Sequence, residues 1–234
     1  MNRVSPIVAT MMLVAGAVTL RADTASSDGA SAGRPKDAVV LFDGADTSAW
    51  MQHKSMRIPT EDEMRNPPPC HYRVVDGALE VNDPGHLITK QRFGDCRLHV
   101  EVWLPAEEGI NSGIWTHYRY CTEIRGRSEK GAKYRLGAIY GLKAPDVDAS
   151  RPARTWQTLD VTFRNARFDS SGTKTENARI TVLLNGVKIH DDVQIERRCP
   201  TLKEPEGAAP GPIVLENHRS QGRVRFRNIW ILPM

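Results

Sequence analysis

Tight-turn dipeptides set between short segments of strictly alternating polarity leave this chain little choice but antiparallel sheet. The segment HYRVV-DG-ALEVN (71–82) turns at Asp76-Gly77, and ARITVLL-NG-VKIH (178–190) turns at Asn185-Gly186. Both dipeptides tolerate the positive φ angles of a two-residue hairpin. RLHVEVWL (97–104) alternates without a break, with Leu98, Val100, Val102 and Leu104 on one face and His99, Glu101 and Trp103 on the other. WQTLDVTFR (156–164) turns Leu159, Val161 and Phe163 inward, and the last segment does the same with Val224 and Phe226 before changing phase at Asn228. That change predicts a bulge or a crossing between sheets. No stretch of ten or more residues keeps a helical period, so the expected fold is all-β: a two-sheet antiparallel jelly-roll sandwich. The proline-bearing segments 53–70 and 196–212 read as long loops, where binding walls are usually built.

At 234 residues the chain suits one domain. With 40% hydrophobic and 26% charged residues it has the composition of a folded globular protein. Lys and Arg number 32 against 28 Asp and Glu, a formal charge of +4, with no basic run interleaved by aromatics, and this excludes nucleic acid as the default partner.

Arg3 followed by the uncharged run 7–20 and then small residues has the layout of a secretory signal peptide over residues 1–25. A helix of that run would reach only about 21 Å, short of the roughly 30 Å hydrocarbon core, which argues against a stable membrane anchor. A flexible lead-in (26–37) and a single domain (38–234) would follow, giving a secreted or periplasmic protein. Removal of Arg3 and Arg21 leaves 30 cations against 28 anions, or +2. Export makes Cys70, Cys96, Cys121 and Cys199 disulfide-capable, with Cys96–Cys121 the expected pair and buried thiols the alternative. No Cys-x-x-Cys spacing points to structural zinc, and the sequence names no cofactor, metal or oligomeric state.

A set of words along the chain is more specific. LFDG-ADTSAW (41–50), FGDCRLHVEVWLP (93–105), NSGIW (111–115), GAIYG-LKAPDVDASRP (137–152), WQTLDVTFRNARFD (156–169), NARITVLLNGVKIHDDV (177–193) and GPIVLENH with VRFRNIWI (211–231) together resemble the 3-keto-disaccharide hydrolase domain family. The resemblance implies a concanavalin-like lectin and glucanase fold, export, and action on glycosides whose sugar carries a ketone at carbon 3. Such a ketone acidifies the hydrogen on carbon 2, so a base can remove it and the group on carbon 1 can be expelled before water adds. The site then needs a base, a hydrogen-bonding or positive partner for the enolate, and an acid for the leaving oxygen. A retaining glucanase would want a Glu-x-Asp-x-x-Glu strand, and none occurs.

The alternation itself supplies candidates. Glu101 lies on the non-core face of its segment beside Trp103. In NSGIWTH, Trp115 and His117 should point outward opposite Ile114, with the two tryptophans as sugar platforms and His117 as an acid or base. In YRYCTEIRG, Cys121, Glu123 and Arg125 share a face opposite Ile124. The family's usual Tyr-Glu-x-Gln is here Tyr120-Cys121-Thr122-Glu123, which moves the carboxylate two residues along the strand, roughly 6 to 7 Å. His218 and Tyr140 match family positions. The expected catalytic set is therefore Glu123, His218, Glu101 and His117, with Trp103, Trp115, Arg125 and Tyr140 binding a carbohydrate substrate. The alternative is a non-catalytic carbohydrate-binding sandwich. His190-Asp191-Asp192 is not expected to bind metal, because neighbours on a strand point to opposite faces.

Overall fold

The computed structural model describes residues 33–55, 57–81, 85–106, 109–126, 135–199, 205–218 and 223–234. The expected signal peptide therefore lies outside the described residues. Two antiparallel sheets carry the fold, with one short helix beside them among the described residues.

The larger sheet has eight strands in the order β13-β12-β9-β6-β15-β4-β3, with β1 paired to β15. Its centre is β6 (Cys96–Trp103), β9 (Trp156–Arg164) and β15 (Arg225–Pro233). Around them lie β1 (Val39–Phe42), β3 (Arg73–Val75), β4 (Ala78–Glu80), β12 (Ala178–Leu184) and β13 (Val187–Ile195). The smaller sheet has five strands in the order β2-β5-β14-β7-β8. These are β2 (Trp50–His53), β5 (His86–Thr89), β14 (Ile213–Leu215), β7 (Asn111–Thr116) and β8 (Tyr120–Arg125). A two-stranded ribbon, β10 (Arg167–Phe168) with β11 (Lys174–Glu176), stands apart.

The expected sandwich is the observed one. Leu98, Val100, Val102, Leu159, Val161 and Phe163 of the larger sheet meet Leu87, Ile114, Ile124, Ile213 and Leu215 of the smaller in one buried cluster. Both hairpins form, with φ of 50° and 70° at Asp76 and Gly77 and 53° and 81° at Asn185 and Gly186. The phase change in β15 is a bulge, since the pairing with β6 shifts between Arg227 and Trp230 and Asn228 takes φ of 46°.

The helix, α1 (Glu61–Arg65), is a single turn held by a capping box between Thr60 and Glu63. It packs Met64 beneath the outer face of the smaller sheet. The expected Cys96–Cys121 bridge is not made: Cys96 is buried in the inter-sheet core, Cys121 belongs to a second cluster on the far side of the smaller sheet, and no cysteine is in a disulfide. The smaller sheet stands between them, with Cys121 pointing outward from it.

Candidate functional site

On its outer face the smaller sheet presents a second apolar cluster, built from Met51, Ile88, Val214, Trp115 and Cys121. Register makes these five one row, because Met51 pairs with Ile88, Ile88 with Val214, Val214 with Trp115, and Trp115 with Cys121.

Two residues along each strand runs a parallel row of very different character. Glu123 pairs with Gly113, and the Glu216 N–H donates to the Gly113 carbonyl at 2.8 Å, so the ladder continues one residue past the end of β14. His86 pairs with His53 at the other edge. The row reads Glu123, Gly113, Glu216, His86, His53. Strand alternation sets every side chain of it on the face of Trp115, opposite core residues such as Ile114 and Leu215.

Gly113 is what lets the carboxylates converge. A β-carbon there would lie 2.5 Å from Cys121 Sγ, 2.9 Å from Glu216 Oε2 and 3.4 Å from Trp115 Nε1. Glu123 is 1% and Glu216 6% exposed. Burial pushes Glu123 up to about 7 even though Arg125 Nε donates to its Oε2 at 2.6 Å and pulls the other way, and the Glu216 charge adds to the rise. Its other oxygen, Oε1, is buried with no hydrogen-bond partner. Burial likewise raises Glu216, against the pull of the Trp115 indole N–H, which points at the carboxylate but stops short of a well-formed hydrogen bond. Two carboxyl groups this close to each other and this dry do not both ionise readily.

His86 sits one strand from Glu216. Its Nδ1 accepts the Asn217 N–H at 3.2 Å, which fixes the tautomer with the proton on Nε2. Burial, with His53 and His218 nearby, drives it down to about 4. His53 Nε2 donates to the Arg57 carbonyl at 2.8 Å, and burial lowers it too. Tyr118 packs beside the row, edge-on to Trp115 with ring centres 6.1 Å apart and donating its hydroxyl to the Ser55 carbonyl at 2.7 Å. At the β2 end, Met51 and His53 also line a cleft of about 430 Å³.

Four of the expected residues come together here: Glu123, Arg125 and Trp115 on the sheet, and His218 close enough to influence Glu216 and His86 electrostatically. Tyr140 packs at the margin, its N–H donated to the Cys121 carbonyl at 3.0 Å.

Three do not join them. Glu101 and Trp103 are on β6, in the outer face of the other sheet, where Glu101 accepts from Arg227 and Asn228 and Trp103 lies under Arg225. A shared alternation phase says that two residues face outward, not which sheet they face out from. His117 is turned into the core. It and Tyr118 take φ of 56° and 55° in the β7–β8 turn, so alternation stops at Thr116 and the ring packs 4.8 Å from Phe163. No Gly or Asn in HYR marks that turn.

Glu216, His86 and His53 are the residues that sequence reasoning passed over. The signal was present for Glu216, which shares a phase with Val214 opposite Ile213 and Leu215. His190, Asp191 and Asp192 separate as expected, to the Gly137 carbonyl, Lys188 and Arg179 respectively. Among the described residues no three His, Cys, Asp or Glu side chains are grouped to hold a metal ion.

A family model for the 3-keto-alpha-glucoside-1,2-lyase-like domain matches residues 37–232. The chain belongs to that family. Among solved structures, a candidate glycosyl hydrolase from Parabacteroides distasonis is 29% identical, with a TM-score of 0.72 over 86% of this chain and 85% of that one. A second from the same organism is 15% identical with a TM-score of 0.62 over 85% and 94%, a likeness of fold. No curated protein matches the chain. Membership in this family and the likeness to a glycosyl hydrolase support a glycan-processing or glycan-binding role.

Proposed function

We propose that the row from Glu123 to His53 is the cleavage site of an exported hydrolase acting on 3-keto-glycosides by elimination and hydration. The observation that carries this reading is the buried carboxyl pair across Gly113, with Glu123 Oε1 left unpartnered. A buried acceptor without a partner marks a place where a ligand or a proton is expected.

The family's description names a 1,2-lyase of a 3-keto-glucoside, which corresponds to the elimination half of the reaction. Glu216 in its charged form takes the proton from carbon 2. The electron pair moves into a carbon 1–carbon 2 double bond as the carbon 1–oxygen bond breaks, and the leaving oxygen takes a proton. Water then adds across the double bond, and the net change is hydrolysis.

Glu123, pushed to about 7 by burial, retains a proton near neutrality and can donate it as a hydrogen bond to the ketone oxygen as that oxygen gains charge. Arg125 holds its other oxygen in place. His86 presents Nε2–H as a fixed donor, and His218 is the candidate acid for the leaving oxygen.

A glycan-binding protein without catalysis is the second reading. Cys121 favours it, because the thiol stands at the family's usual Glu position, and burial pushes it well above its ordinary range and keeps it neutral. Incubation of the purified protein with a 3-keto-glucoside and with the unoxidised glucoside separates the two readings. Release of the aglycone from the first alone, lost in Glu216→Gln, supports the enzyme. Retention on a glycan affinity gel without release from either supports the binding protein.

A further inference from the structure

We propose that the cleft at the β2 end of the row is the leaving-group subsite, and that it favours a flat ring bearing an anionic substituent such as a carboxylate. This rests on the row being the cleavage centre, and it adds the chemical class of the group expelled.

Position is the first argument. Glu216, His86 and His53 stand on successive strands, so His53 is about 10 Å from Glu216 across two strand spacings. His53 belongs both to the row and to the cleft wall. A sugar held over Glu216 with its carbon 1 toward His86 therefore points its departing group into the cleft, whose volume of about 430 Å³ takes a ring-sized group.

Lining chemistry is the second argument. Pro68 supplies an exposed apolar wall, with Met51 buried beneath the cleft floor. The charge in the lining is one-sided. Glu63, its one carboxylate, is already engaged by both Arg57 guanidinium nitrogens at 2.7 and 2.8 Å and by the Thr60 N–H at 2.8 Å. Lys54 and His71 are exposed, and among the described residues neither has a carboxylate within ion-pair distance. An ammonium beside a ring-sized apolar slot recognises an acidic ring substituent.

The test compares phenyl and 4-carboxyphenyl 3-keto-glucosides, whose leaving groups differ in charge far more than in leaving ability. Wild type should favour the carboxyphenyl substrate in kcat/KM by roughly two- to fivefold, the worth of one exposed ion pair. Lys54→Gln should abolish that preference through KM, leaving kcat and the phenyl substrate unchanged. A calorimetric arm with 4-hydroxybenzoate and phenol reads the cleft without turnover: the acid should bind wild type more tightly than Lys54→Gln, and phenol should not distinguish them. Equal treatment of the two substrates and the two probes by both proteins would overturn the subsite. Absence of turnover together with Lys54-dependent binding of 4-hydroxybenzoate would overturn the cleavage reading and leave an anionic-ring site standing.

Discussion

A β-carbon on Gly113 would stand 2.9 Å from Glu216 Oε2, so the carboxylate occupies space that only a glycine in β7 leaves open. Gly113 does not take a positive φ, and its constraint is therefore one of space and not of backbone conformation. Three side chains from three strands, Cys121, Glu216 and Trp115, use that space at once.

Gly113→Ala should accordingly act on the site more than on the fold. The methyl must displace Cys121 Sγ and Glu216 together, a local overpacking that costs about 1–3 kcal/mol. Thermal unfolding should show a moderate drop in Tm, while release of aglycone from a 3-keto-glucoside falls by at least about tenfold, as expected when a reacting group is moved by a fraction of an ångström. An Ala variant with undiminished activity would mean that Glu216 does not act from its observed position.

Glu123 should make stability fall as pH rises. Its folded pKa of about 7 lies above the ordinary 4.5 because burial disfavours the charge. The folded protein then binds more protons than the unfolded chain between those values. The contribution is complete below about pH 4.5 and is lost as pH rises through about 7, on the order of 3 kcal/mol. Chemical denaturation between pH 4.5 and 8 should show this loss in wild type and a flatter profile in Glu123→Gln, which cannot ionise.

The histidines work in the opposite sense. Burial holds His117 at about 4, below the ordinary 6.5, with its Nδ1 buried and unpartnered. Its contribution is complete above about pH 6.5 and is lost as pH falls toward 4. His117→Asn keeps a residue that accepts the left-handed backbone and removes the titration. The variant should start less stable, having lost the Phe163 contact, yet decline less steeply from pH 6.5 to 4.5. A parallel decline would place the acid sensitivity elsewhere, with His86, also held at about 4, the next residue to change.

The parts of this molecule that were legible in its sequence are those governed by neighbours along the chain. Alternation and the two hairpin dipeptides gave the sheets, and the phase slip at Asn228 gave the bulge. Pairing across the chain was not legible in the same way. Glu101 and Glu123 carry the same outward signal, and only the strand order, β6 in one sheet and β8 in the other, separates them. His117 was misplaced by one turn because two ordinary residues took left-handed backbone where no glycine announced it. Glu216 becomes conspicuous only when register sets it beside Gly113, a hundred residues earlier in the chain.

Glu101 offers the sharpest contrast with the proposed site. Its carboxylate is held by Arg227 Nε at 2.7 Å and Asn228 Nδ2 at 2.9 Å on the outer face of the larger sheet. The Arg227 side of this contact is 41% exposed, so the ion pair is worth less than about 1 kcal/mol. Glu101→Gln preserves the shape and the Asn228 contact. It should leave Tm within a few degrees and the rate of 3-keto-glucoside cleavage within about twofold of wild type, whereas Glu216→Gln should lose about a hundredfold or more, the usual worth of a positioned base. The reverse pattern, with Glu101→Gln impaired and Glu216→Gln intact, would move the functional surface to the other side of the sandwich.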